Sequence, residues 1–208
     1  MKRPRALGLA WLAAGAMALA GWIYGGQIAG YFALQQRLHA DEAARSAQPV
    51  ITLADSCTPC HGAGGRSRAA AYPALAGQSA AYLADQLDRL ADGRRPSPIM
   101  GSMAQSLGAP DRAALARWFA AQPPWPALAG PLAPALRPCA GCHGAALQGE
   151  RDVPRLAGMG RIYVARQLLA YRSGTRIDPG GAMNAVAQAL DEPQIAAITR
   201  SLPLPAGH

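Results

Sequence analysis

The feature of this sequence that most limits its possible folds is a five-residue phrase that occurs twice in matching surroundings. The phrase reads CTPCH at positions 57–61 and CAGCH at positions 139–143, and together the two copies contain all four cysteines of the chain. Their histidines are 82 residues apart, and Pro73 and Pro154 are 81 residues apart. A nearly constant offset over such a length indicates a duplicated unit of about 80 residues.

The duplication predicts how the chain is divided. The first half covers residues 50–121 and the second half covers residues 135–208. A proline-rich linker, residues 122–134, joins them and is expected to be stiff and short of helix. A polar stalk, residues 35–49, precedes the first half, and residues 1–34 form an apolar N-terminal segment.

Both halves show the apolar spacing of α-helices, and neither shows the alternation of a half-buried strand. Each half predicts a short helix that leads into the cysteine phrase, a glycine-rich loop, a middle helix, a loop that contains a methionine, and a last helix. The middle and last helices are predicted over residues 79–91, 109–121, 160–172 and 191–202. The predicted fold class is therefore all-α, with two small tandem domains.

The N-terminal segment predicts export and membrane attachment. The basic sequence MKRPR is followed by a run without charge from Ala6 to Leu34, which is longer than the roughly 20 residues that span a bilayer. The positive-inside rule puts the N-terminus in the cytoplasm and both halves on the outer side of the membrane. The alternative is a signal peptide cleaved after Ala20, although the apolar run continues past that site.

Three kinds of chemistry use C-x-x-C. A zinc site shared by both phrases would link two repeated units and leave the histidines unexplained, and a thioredoxin-like redox pair would need a preceding strand. Covalent haem attachment accounts for both cysteines and the histidine, because the two thiols bond to the vinyl groups and the adjacent imidazole binds the iron. The phrases therefore predict two haem c groups, with Cys57, Cys60, Cys139 and Cys142 as the attachment sites and His61 and His143 as iron ligands.

The sixth iron ligand is predicted to be methionine, because methionine recurs at matching places. Met100 follows the first haem-phrase histidine by 39 residues, and Met183 follows the second by 40. Met103 and Met159 have no methionine partner in the other half, and neither His39 nor His208 recurs in both halves. Iron with histidine and methionine ligands has no open position for substrate, so the predicted activity is electron transfer rather than catalysis.

Other recurring residues are candidates for contacts around the haems. The carbonyls of Pro73 and Pro154 are placed to accept the second N–H of the histidine ligands, the alternative being a purely loop-shaping role. Tyr82 and Tyr163 recur on the middle helices and either reach haem propionates or pack against the ring. Gln86 and Gln167 recur beside them. Arg94, Arg95 and Arg176 follow the same helices and either pair with haem propionates or lie on the solvated surface, and the surface role is the favoured interpretation.

The charge balance excludes one class of function. The formal net charge is +8, but the arginines are scattered among acidic residues, and neither a basic stripe nor a nucleic-acid-binding module is present.

Residues 50–208 resemble the diheme cytochrome c4 family, which has two class I cytochrome c domains in tandem. The motifs that carry the resemblance are CTPCHG, YPALAGQ and MGSMAQSLGAPD in the first half, and CAGCHG, VPRLAGM and MNAVAQALDEPQ in the second. The resemblance implies two covalent haems with histidine and methionine ligands, and halves docked about a pseudo-twofold axis with the propionates near the interface. It also implies periplasmic electron transfer, commonly to a terminal haem–copper oxidase. Ser201 and Leu202 replace Trp118 and Phe119 of the first half, so different packing is expected around the second haem.

Two functions remain open at this point. One is a membrane-tethered carrier between a quinol-oxidising complex and a terminal oxidase. The other is the electron-accepting subunit of a periplasmic dehydrogenase, for example a sulfide-oxidising flavoprotein.

Overall fold

The computed structural model describes residues 15, 19, 21, 24–39 and 49–202. Residues 24–39 form a continuous helix. Among the described residues there is no helix whose length and apolar character would let it cross a membrane. Much of the predicted anchor, the cleavage site after Ala20 and most of the stalk lie outside the described residues, so the anchor stays a prediction.

The chain divides into two compact units, Met1–Pro49 and Val50–His208. Both halves of the repeat belong to the second unit, and their predicted boundaries at 50–121 and 135–208 stay predictions. The helices of the first half are α1 (Pro49–Asp55), α2 (Thr58–His61), α3 (Ala80–Ala91), α4 (Pro98–Gln105) and α5 (Ala109–Ala120). Those of the second half are α6 (Arg137–His143), α7 (Arg161–Ser173), α8 (Ala182–Gln188) and α9 (Glu192–Ser201). Over these residues the only strand-like pairing is an isolated bridge between Glu150 and Val153, so the mostly helical prediction is confirmed.

Both halves pack their helices in the same way. The middle helix α3 contacts α4 and α5, and the middle helix α7 contacts α8 and α9. Each half has its own apolar core. The first consists of Ala54, Leu83, Leu115, Ala116 and Phe119, and the second of Leu136, Leu147, Ala157, Met159, Val164, Leu168, Ile195, Ile198 and Leu202. Each middle helix contributes to the core of its own half, α3 through Leu83 and α7 through Val164 and Leu168.

The linker takes part in the packing between the halves. Trp125 is buried, its indole Nε1 donates to the Ser67 carbonyl at 3.1 Å, and the Arg66 guanidinium stacks over its ring. From the second half, Arg155 donates to the Trp125 carbonyl. The linker is thus held by side chains from both halves.

The N-terminus of α7 docks directly on the first half. In α3 the Ser79 hydroxyl caps the helix by accepting from the Tyr82 N–H at 3.3 Å. The matching residue before α7 is Gly160, and the Tyr163 N–H donates instead to the Ala70 carbonyl at 2.9 Å. A methyl group on Gly160 would collide with the carbonyl oxygen of Ala70. One half therefore supplies the helix cap of the other.

Candidate haem sites

The two cysteine phrases form short helices with the same pattern of exposure. Cys57 is the N-cap of α2, and Cys139 lies in the first turn of α6. The first cysteine of each phrase is half-buried and the second is exposed. All four thiols are free, and burial raises the pKa of the Cys57 and Cys139 thiols. Each phrase thus presents one inner and one outer thiol, about one helical turn apart.

The two histidines are held in the orientation that iron ligation requires. His61 Nδ1 lies 2.9 Å from the Pro73 carbonyl oxygen, and His143 Nδ1 lies 2.7 Å from that of Pro154. Each histidine is only 5% exposed. Burial lowers the pKa of both imidazoles, against the opposing effect of the carbonyls, so the neutral form dominates at pH 7. With Nδ1 donating to a carbonyl, Nε2 is left to bind a metal.

The two methionines lie in the first turns of short helices, which corrects the prediction that they lie in loops. Met100 is in α4, where its N–H donates to the Ser97 side chain at 3.4 Å. Met183 is in α8, where its N–H donates to Asp178 at 3.1 Å. Ser97 is an N-cap followed by Pro98, a combination that starts a helix. Both methionines are half-buried at equivalent places, and their role as ligands stays a prediction.

The rival methionines have different surroundings. Met103 is 38% exposed on α4, and Met159 is buried in the second apolar core. Neither arrangement is repeated in the other half, because Val186 matches Met103 and Gln78 matches Met159.

A polar cluster joins the two middle helices across the interface between the halves. Arg95 donates to Gln86 of its own half at 3.0 Å, and to Tyr163 and Gln167 of the other half at 3.1 and 3.2 Å. The matching arginine does the same in reverse. Arg176 donates to Gln167 at 2.5 Å, to Tyr82 at 2.9 Å and to Gln86 at 2.7 Å. We call these six residues the exchange cluster.

The exchange cluster corrects the interpretation of its arginines as surface residues. Arg176 is 5% exposed and Arg95 is half-buried, whereas Arg94 is exposed and pairs locally with Asp92. Burial opposes the charge on Arg176, but the neighbouring tyrosines hold its pKa above the ordinary value. Burial raises the pKa of Tyr82. Among the described residues no carboxylate pairs with either arginine, so the cluster holds positive charge without a protein counter-ion.

The residues fit two covalently attached haems. Each half supplies two free thiols, a buried neutral imidazole and a half-buried thioether in the same order, and thiolate addition, imidazole and thioether ligation are the chemistry of haem c. The buried arginines also suit the acidic side chains of haem. Among the described residues no three His, Cys, Asp or Glu side chains converge as a metal site of another kind. A mostly helical chain with two such sites defines a tandem c-type cytochrome, an electron-transfer protein rather than an enzyme.

Comparison with known proteins gives the particular family. No protein-family model matches the chain. A thiosulfate dehydrogenase electron acceptor of Thiomonas intermedia is 36% identical over 169 residues, which is 72% of this chain and 78% of that protein. Cytochrome c4 of Pseudomonas aeruginosa is 33% identical over 177 residues, 76% of this chain and 86% of that protein. The crystal structure of reduced cytochrome c4 from Pseudomonas stutzeri matches with a TM-score of 0.61 at 29% identity, over 71% of this chain and 94% of that one.

The chain belongs to the cytochrome c4 family. The predicted resemblance is therefore confirmed, as are the two covalently attached haem c groups and the function in electron transfer. Bound haem c supplies a one-electron Fe(III)/Fe(II) couple. Cys57 and Cys60 would hold one haem, and Cys139 and Cys142 would hold the other. The carbonyls of Pro73 and Pro154 orient the imidazoles, and Cys57 and Cys139 each pack against the apolar core of their own half.

Some residues at these sites were not found from the sequence. Gln78, Arg155 and Trp125 make buried contacts between the halves, and none of them stood out by a motif. One signal was available, because Gln78 breaks the repeat where the second half has Met159.

Proposed function

We propose that this chain is an electron relay at the outer face of the bacterial inner membrane, with its N-terminus in the cytoplasm and both haem-bearing halves in the periplasm. The observation that carries the relay is the complete donor set of each half, with a histidine oriented by a proline carbonyl and a methionine at the matching place. Such iron has no free position for substrate, so it only gains and loses electrons. The charge-free run from Ala6 to Leu34 supports the anchor.

The acceptor and donor are protein partners. We propose a terminal haem–copper oxidase as the acceptor and a quinol-oxidising complex as the first candidate donor. A periplasmic dehydrogenase is the second candidate, and the relatives favour it. The Thiomonas intermedia relative is a thiosulfate dehydrogenase electron acceptor, and a relative from Stutzerimonas stutzeri, 36% identical over 163 residues, has the same description.

The donors can be separated by stopped-flow reduction of the oxidised holoprotein. One arm uses a quinol-oxidising complex with quinol, and the other uses thiosulfate dehydrogenase with thiosulfate. The faster second-order reduction identifies the donor class, and oxidation by oxidase-containing membranes tests the acceptor. Slow reaction in every arm contradicts the relay.

The ligand assignment is tested by the far-red charge-transfer band between methionine sulfur and ferric haem. Replacing Met100 or Met183 by alanine is expected to remove about half of this band, because each half holds one thioether. Met103→Leu is the matched control on the same helix and is expected to leave the band intact. A band that survives both alanine substitutions contradicts the assignment.

The anchor has a separate test. We expect the full chain to remain with membranes after alkaline carbonate washing, because an apolar segment of this length inserts stably. Release into the wash, or a mature protein that begins at Gly21, contradicts an uncleaved anchor.

A further inference from the structure

One peptide group connects the second haem site to the first half of the chain. The C=O of Pro154 and the N–H of Arg155 belong to the same peptide unit. The carbonyl oxygen accepts from His143 Nδ1 at 2.7 Å, and the N–H donates to Gln78 Oε1 at 2.8 Å. A hydrogen-bond chain therefore runs from Gln78, through one peptide group, to His143.

Gln78 is well placed to act on this peptide. It is 2% exposed, and its Nε2 donates to the Arg155 carbonyl at 3.1 Å. Its side chain thus holds Arg155 at two points, and its oxygen also accepts from the Ser79 N–H at 3.2 Å. Since Gln78 belongs to the first half, its position relative to His143 depends on how the halves dock.

The first haem site has no such connection. The Pro73 carbonyl accepts from His61 at a longer distance, 2.9 Å. The N–H of Ala74, on the same peptide, makes no hydrogen bond to any of the described residues. The residue of the second half that matches Gln78 is Met159, whose side chain is buried in the apolar core of its own half. A side chain of the first half therefore contacts the histidine-binding peptide of the second half, but the matching side chain of the second half does not contact that of the first.

Hydrogen bonds in a chain polarise one another. An acceptor on the peptide N–H makes the carbonyl of that peptide a better acceptor, which draws the Nδ1 proton away from the imidazole. A ligand histidine with a stronger Nδ1–H hydrogen bond is more basic. A more basic ligand favours Fe(III) over Fe(II) and so lowers the reduction potential.

We propose that Gln78 is a positioning residue that lowers the reduction potential of the second-half haem through the Pro154–Arg155 peptide and His143. The inference rests on the proposed ligation of iron by His143. In this proposal one side chain of the first half makes the reduction potentials of the two haems unequal. The potential of the second haem then depends on how the two halves dock.

The test uses the full-length holoprotein and the variant Gln78→Met, which places the repeat-equivalent residue at this position. The variant removes both hydrogen bonds to Arg155 and the one from the Ser79 N–H. Both haems are followed in a spectroelectrochemical titration. Met183→His, made in each background, identifies the wave of the second haem, because exchanging thioether for imidazole lowers its potential. Trp125→Phe is the control, since it removes one contact with the first half and leaves the Pro154–Arg155 peptide untouched.

We expect Gln78→Met to raise the Fe(II):Fe(III) ratio of the second haem about twofold at a fixed potential, and to leave the first haem and the Trp125→Phe control unchanged. A wave of the second haem that stays in place, or an equal shift of both waves, overturns the proposal. If Met183→His moves neither wave, the assignment of Met183 as a ligand fails. The next measurement then still decides whether the hydrogen-bond chain from Gln78 acts on His143.

That measurement does not depend on the Met183 substitution. In proton NMR of the reduced protein, the Nδ1–H of His143 should resonate further downfield than that of His61, because its hydrogen bond is stronger. In Gln78→Met the His143 signal should move toward that of His61. Equal chemical shifts of the two Nδ1–H protons in the unmodified protein overturn the proposed effect of Gln78 on His143.

Discussion

Two matching positions beside the haem phrases carry residues of very different size. Gly65 of the first half and Leu147 of the second both accept, through their carbonyls, from the two N–H groups that follow the proline loop. Both have positive φ, 78° and 55°. A side chain on Gly65 would start 2.7 Å from the ring of Phe119. In the second half Leu202 replaces Phe119, and the fully buried Leu147 fills the space. A large and a small residue have thus exchanged places.

This exchange predicts non-additive stability. Leu147→Gly loses a buried side chain, at a cost of about 2–5 kcal/mol that relief of the positive φ offsets by about 1 kcal/mol. Leu202→Phe alone overpacks the core and costs about 1–3 kcal/mol. The double variant should be more stable than the sum of the two costs allows, by about 1–2 kcal/mol. Guanidinium unfolding of the unmodified protein, the two single variants and the double variant measures the coupling. Additive costs would contradict the interpretation that the residues at these two positions compensate for each other in size.

Among the elements, the start of each middle helix shows how a helix cap can move from one half to the other. Ser79 caps α3 from within the chain segment itself, whereas α7 takes its cap from Ala70 across the interface. The absence of a side chain at Gly160 allows the close approach, because a methyl group there meets a backbone oxygen that cannot rotate away.

Gly160→Ala is therefore expected to destabilise the protein by about 1–3 kcal/mol. The added methyl group pushes α7 away from the Ala70 carbonyl, and the Tyr163 N–H then loses its acceptor. The φ of Gly160 is −65°, an angle at which glycine-to-alanine changes elsewhere stabilise by about 0.4–1 kcal/mol. The sign of the change in thermal unfolding thus tests the contact. Gly180→Ala is the control, because the nearest atom to its added methyl group is 3.8 Å away.

The elements also show what could be predicted from the sequence. The middle helix predicted over 79–91 is Ala80–Ala91, because its apolar spacing and its serine cap are local signals. The proline carbonyls lie where the spacing from His61 and His143 put them. The sequence predicts a loop where α4 begins after its Ser97 cap, because glycine and proline around Met100 are typical of loops, although Ser-Pro is also a cap signal. Contacts such as Arg95 with Tyr163 depend on the docking of two halves, for which periodicity carries no information.

At the scale of the whole molecule, the exchange cluster ties the halves together symmetrically. Each arginine donates to the glutamine of its own half and to both the tyrosine and the glutamine of the other half. Since no described carboxylate neutralises these arginines, we expect the haem propionates to complete the cluster. Haem loading and docking of the halves would then stabilise each other.

Arg95→Leu tests this link, with Arg94→Leu as a control one residue away. Losing the Arg95 guanidinium leaves Tyr163 and Gln167 with one donor fewer and should cost about 1–3 kcal/mol. Unfolding, followed by calorimetry of the holoprotein, should broaden or split as the halves uncouple. Arg94 is exposed, and among the described residues its one ion pair is with Asp92, so its loss should not change the unfolding profile. An identical profile for both variants contradicts a role of the cluster in docking.

The glycine before α7 also determines which half can stand in which place. A chain with the first half in both places would carry the serine of position 79 at the docking point, and its side chain would meet the Ala70 carbonyl. A chain with the second half in both places would have a methionine where Gln78 binds the Arg155 backbone. The repeat therefore behaves as a heterodimer on one polypeptide, and the order of its halves is as fixed as the order of the helices. The surroundings of the two haem sites therefore differ, and an electron that enters through the first half encounters different residues from one that enters through the second.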